Sequence, residues 1–149
     1  MSGFAAGGLT SAGNTTLPVV ALVGGTGVKA RVIEIGVFNT TSTAVALKLG
    51  RLSGAGAGTP GSTLTAASLD PSTPETNTAL LKNTYSSTAP TVLSDLGFRC
   101  VLGAAIGSGF VWTFEDWELV TGVASNAAIC IVVENGTGQA LQTYWKWRE

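Results

Sequence analysis

The chain has 149 residues, enough for one domain with its own core, and eight basic and nine acidic side chains give it a net charge of −1. Charged residues make up 11% and apolar ones 45%, against the roughly 25% charged of an average soluble domain, so part of the apolar surface is expected to be covered in an assembly. The absence of a basic cluster argues against a nucleic-acid partner, and no apolar run reaches the roughly 18 residues of a bilayer span, so no membrane partner is expected either.

Residues 1–16, MSGFAAGGLTSAGNTT, are mostly Gly, Ala, Ser and Thr, with Phe4 and Leu9 among them. This composition buries too little area to fold alone and reads as an extended N-terminal arm, ordered by a neighbouring subunit or left free. It lacks the basic start and sustained apolar core of a secretory signal, which points to synthesis in a cytoplasm. A β domain is expected over 17–149, beginning at Leu17.

LPVVALVG (17–24) reads as a short apolar strand closed by glycines. ARVIEIGVFNTT (30–41) alternates, with Ile33, Ile35 and Val37 on one face and Glu34 on the other, and TAVALKLGRL (43–52) sets Val45, Leu47 and Leu49 against Lys48. The Asn-Thr-Thr-Ser between them suits a hairpin turn. Next comes a glycine-rich stretch in which Gly56, Gly58 and Gly61 spell G-x-G-x-x-G. A dinucleotide loop needs a helix directly after it; here STLTAASLDP follows, rich in Ser and Thr and stopped by Pro71, so a surface crossover is expected. The stretch 69–87 reads as an excursion with one helical turn near Glu75–Lys82. Strands return at GFRCVLGAAI, GFVWTF, WELVTG, AAICIVVEN and ALQTYWKWR, punctuated by Gly-Ser-Gly and Asn-Gly-Thr-Gly turns. Eight or nine short strands at this spacing predict an all-β protein, a single antiparallel β-sandwich or barrel.

Catalytic chemistry finds little to work with. There is no histidine, which removes the commonest general base and metal ligand, and no serine lies in a nucleophile elbow. Cys100 and Cys130 fall in apolar runs and read as buried thiols or, alternatively, a disulfide; two cysteines without histidine do not suggest zinc. Glu115, Asp116 and Glu118 form the one dense acidic spot, but adjacent strand residues point to opposite faces, which weakens a carboxylate pair. No catalytic residue, metal or cofactor is expected. The aromatics concentrate late: Trp112, Trp117, Trp145 and Trp147, with Phe114 and Tyr144. On the final strand Trp145 and Trp147 share one face, and Tyr144, Lys146 and Arg148 the other. They suit core packing, a subunit contact or a sugar-stacking platform. As interface candidates we take Phe4, Leu9, Leu17, Trp112, Trp117, Tyr144, Trp145 and Trp147. The low charge also predicts a closed cyclic homo-oligomer.

Several stretches together, ARVIEIGVFN (30–39), the small-residue loop ending in SLDPSTP (68–74), GSGFVWTF (107–114), and AAICIVVEN with TYWKWRE, resemble the jelly-roll-like head-decoration or minor structural proteins of tailed bacteriophages. The likeness spans residues 28–149. It implies a jelly-roll-like sandwich with a non-enzymatic, capsid-bound role, a homotrimer as assembly state and the major capsid protein as partner. A tail-fibre or spike module that binds a receptor or glycan is the alternative.

Overall fold

The computed structural model describes residues 1–52, 60–72, 74–85, 91–115, 118–123 and 128–149. Among these the protein has twelve strands and no helix, arranged as two antiparallel sheets of a β-sandwich. In chain order the strands are β1 (Gly3–Leu9), β2 (Val20–Val23), β3 (Arg31–Asn39), β4 (Val45–Leu52), β5 (Pro60–Leu64), β6 (Ala66–Ser68), β7 (Leu80–Tyr85), β8 (Val92–Leu102), β9 (Gly109–Thr113), β10 (Leu119–Val120), β11 (Ile129–Asn135) and β12 (Leu141–Arg148). Sheet I runs β10–β3–β12–β1–β6, with β9 also paired to β3; sheet II runs β5–β7–β2–β11–β4–β8.

The last two strands complete both sheets. β11 inserts between β2 and β4, and β12 between β1 and β3, so neither sheet is continuous without the C-terminal segment. Each strand sends alternate side chains into one shared core: Phe4 and Ala6 from β1, Ile35 and Val37 from β3, Leu47 and Leu49 from β4, Ile129, Ile131 and Val133 from β11, and Trp145 and Trp147 from β12. Trp147 stacks on Phe4 across the β1–β12 pair, ring centres 6.0 Å apart. The two indoles are fully buried within a single chain, so the core itself accounts for their burial.

The expected arm takes a different form. Residues 3–9 are an interior strand of sheet I, paired to β12 on one side and β6 on the other. Thr10 extends the contact, its amide donating to the Leu141 carbonyl at 2.9 Å. Small residues suffice here because strand pairing uses backbone groups, and the bulk that β1 lacks is supplied by the tryptophans beside it. The helical turn expected near Glu75–Lys82 is also corrected: residues 80–82 begin β7. Leu81 is buried there while Leu80 faces outward, a period of two that a short apolar pair does not announce. A third difference lies in β3. The register against β12 shifts between Lys146 and Trp147, which pair with Glu34 and Val32. This bulge leaves Ile33 half-buried and turns Val32 into the core beside Ile35 and Val37.

The turn between β3 and β4 is held by Asn39, which is buried. Its side-chain amide donates to the carbonyls of Thr43 (2.7 Å) and Gly103 (3.0 Å), and its oxygen accepts from the Thr41 amide. One side chain therefore fixes both this turn and the corner between β8 and β9.

Candidate functional site

Most of the residues expected at an interface are structural. Phe4, Trp112, Trp145 and Trp147 lie in the main core, and Leu17 is half-buried against a second, smaller cluster. Leu9 is 57% exposed and Tyr144 is half-buried, both on the outer face of sheet I. Trp117 lies outside the described residues, as do Asp116 and two glycines of the G-x-G-x-x-G motif, Gly56 and Gly58. Gly61 belongs to strand β5. A strand therefore stands where a phosphate-binding helix would have to begin.

The acidic spot borders a groove of about 280 Å³ lined by Arg31, Val32, Ile33, Phe114, Glu115, Glu118 and Arg148. Arg31 forms an ion pair with Glu118, so the carboxylate is neutralised rather than set for acid–base work. Among the described residues no group of three or more Asp, Glu, His or Cys gathers as a metal site. Cys100 and Cys130 are free and buried; burial pushes both thiols up to about 12, which leaves them protonated and unreactive at neutral pH.

Two surfaces remain. The first is the lateral edge where β8 of sheet II meets β9 of sheet I. Phe98 and Phe110 are 40% and 42% exposed, Val101 72% and Ile106 76%. Phe98 packs edge-on to the buried Phe114 at 5.2 Å, and Phe110 edge-on to Trp112 at 5.3 Å. The core thus continues outward as an apolar strip through Phe98 and Phe110, while Val101, paired with Ala46, stands on the outer face of sheet II beside Lys48 and Arg99. The β8 edge beside it is guarded against open-ended pairing: residues 96–98 bulge opposite Leu49, with Gly97 at φ +83°. Arg99 bonds Glu134 at 2.6 Å and also pairs with Asp95.

The second surface is the outer face of sheet I, where strand register sets a grid. Leu9, Gln142, Phe38 and Gly109 form one row across β1, β12, β3 and β9. Gly7, Tyr144, Gly36 and Val111 form the next, and Ala5, Lys146, Glu34 and Thr113 the third. A Cβ on Gly36 would come within 2.1 Å of the Tyr144 ring, and one on Gly109 within 2.1 Å of the Phe38 ring. Both rings therefore lie flat on the sheet, centres 6.3 Å apart and planes 23° from parallel. Lys146 bonds Glu34 at 2.8 Å. Hydrogen bonds from Lys146 and then Tyr144 hold the Glu34 carboxyl below its usual range. Desolvation, followed by the bond to Glu34, raises the Tyr144 phenol, which stays protonated and donating. Phe38 escaped the sequence reading; the signal for it was Gly109, the glycine that opens the strand GFVWT, which marks a close approach.

No family model, curated protein or solved structure matches the chain.

Proposed function

We propose that this chain is a non-enzymatic structural protein of a tailed-phage particle, made in the host cytoplasm and bound to the outer capsid lattice as a decoration protein that stabilises the head. The observation that carries the reading is the apolar strip of Phe98 and Phe110 at the β8–β9 edge, with Ile106 in the connecting turn and Val101 on the neighbouring outer face each more than 70% exposed on a chain with few charges. Such a strip is costly to leave in water and suits a permanent contact, either with a second copy in a closed ring or with the major capsid protein. A bound decoration layer would stabilise the shell by mass action, since it favours the assembled state.

The resemblance in strand motifs favours the same role and a trimer. Burial of Trp112, Trp145 and Trp147 removes them as an adhesin's stacking residues, and in the acidic groove Glu118 is engaged by Arg31. The test is quantitative mass spectrometry and a density map of the purified particle. Hundreds of copies on the head support the reading, a few copies at the tail redirect it, and absence from the particle overturns it.

A further inference from the structure

We propose that the outer face of sheet I carries a saccharide-stacking site built by Tyr144 and Phe38. The two rings are nearly parallel, planes 23° and centres 6.3 Å apart, and pressed onto the sheet over Gly36 and Gly109. Each ring is half-buried, with its lower face against backbone and its upper side toward solvent. A flat pair of rings presents its negative faces outward, which suits the weakly positive C–H face of a pyranose. The centre spacing is about the step from one sugar ring to the next in an extended chain.

Hydrogen-bonding groups flank the rings on both sides. Gln142 lies in the Phe38 row, beside Tyr144 along β12, and Lys146, Glu34 and Thr113 form the row on the far side. These groups can serve sugar hydroxyls, while the Lys146–Glu34 pair carries no net charge. The Lys146 ammonium lies over the Tyr144 ring, 5.6 Å from its centre, while bonded to Glu34, so a sugar that stacks on this ring displaces the ammonium or shares the face with it.

Size favours a saccharide over a protein partner. The apolar part of the face is small, two half-buried rings with Leu9 and Val111 beside them, and rows of hydrogen-bonding groups border it, a mixture that suits the C–H faces and hydroxyls of a sugar. Phe110 pairs with Val37 on the core side of β9, opposite the face that carries Gly109 and Val111, so substitutions at the rings can be read separately from the capsid-binding role.

The experiment is a titration of the folded protein with cellohexaose, chitohexaose and maltohexaose, followed by calorimetry and by the ring resonances of Tyr144 and Phe38. Saturable binding of at least one oligosaccharide at millimolar concentration, with both rings shifting, is the expected result. Tyr144→Ala and Phe38→Ala should each weaken it roughly tenfold or more. Gly109→Ala keeps both rings but lifts Phe38 off the sheet, and should weaken binding in a protein whose amide spectrum is otherwise native. Absence of binding by all three sugars overturns the proposal. So does binding that survives Tyr144→Ala undiminished, or that shifts the Arg31–Arg148 groove instead of the rings.

Discussion

The two outer faces of the sandwich are treated differently. On sheet II the residues that alternate outward, Ala21, Cys130 and Val132, join Leu52, Tyr85 and Ala128 in a second buried cluster, with Leu17 and Val23 packed against it. The central strand β11 is thus buried on both sides, which is why its sequence reads ICIVV without a polar break. On sheet I the outward residues of β12 are Gln142, Tyr144, Lys146 and Arg148, and the face stays open. A continuous apolar run and a strict alternation are therefore the same element seen with and without a cover. The contrast also shows where apolar groups remain for partners: the flat rings of sheet I and the β8–β9 edge.

The strongest test of the contrast places the same charge on each face. Val132→Asp should destabilise the protein by about 2 kcal/mol or more, since it buries a carboxylate whose one cationic neighbour, Lys48 directly across β4, already faces Asp95, while Val111→Asp on the open face should change stability by about 0.5 kcal/mol or less. Urea denaturation measures both, and equal effects would mean that sheet II is not covered.

A smaller difference is expected between the two sides of β12. Trp147→Ala removes a fully buried indole stacked on Phe4 and should cost about 3–5 kcal/mol. Tyr144→Ala, on the opposite face of the strand from the core tryptophans, should cost about 1 kcal/mol through its lost cross-strand contact with Phe38.

Thiol labelling resolves the cover more finely. Cys130 is 0% exposed at the centre of sheet II, whereas Cys100 is 8% exposed on the edge strand β8. Native protein should resist an aromatic disulfide reagent at pH 8, because both thiols are held up to about 12. Cys100 should react first as the edge opens locally, and Cys130 only with global unfolding. Faster reaction at Cys130 would reverse the assignment of the covered face.

The mildest effect concerns acid. Burial works to raise Glu149, but bonds from the Thr78 hydroxyl (2.6 Å) and amide (2.8 Å), Trp147 Nε1 (2.9 Å) and the Ala79 amide (2.9 Å) outweigh it and hold its carboxyl below the ordinary 4.5. Glu34, on the open face, is lowered as well. A depressed carboxyl contributes its stability above the unfolded value and loses it as pH falls through the folded value. Thermal stability should therefore decline as pH drops below about 4.5. Glu149→Gln should flatten that decline more than Glu34→Gln, whose ion pair is exposed and screened by salt.

Local patterning was enough to identify the all-β class and strands β3, β4, β11 and β12, because a period of two records which side chains meet apolar surroundings. It also separated Trp145 and Trp147 from Lys146, and the structure places them in the core and on the outer face as that alternation requires. It missed β1, since Gly and Ala carry no pattern of their own and the strand exists through its neighbours β12 and β6. It misplaced Ile33 because one bulge inverts the alternation ahead of Glu34, which puts Val32 in the core while Ile35 and Val37 keep their side. Which face of each sheet is covered, how β11 and β12 wedge between early strands, and how Tyr144 and Phe38 come to lie flat over glycines were decided by pairings between residues about a hundred positions apart. A hydrophobic pattern fixes how a strand divides its side chains, but the partner strand, the register and the cover come from backbone hydrogen bonds and packing that any such strand could satisfy in several ways.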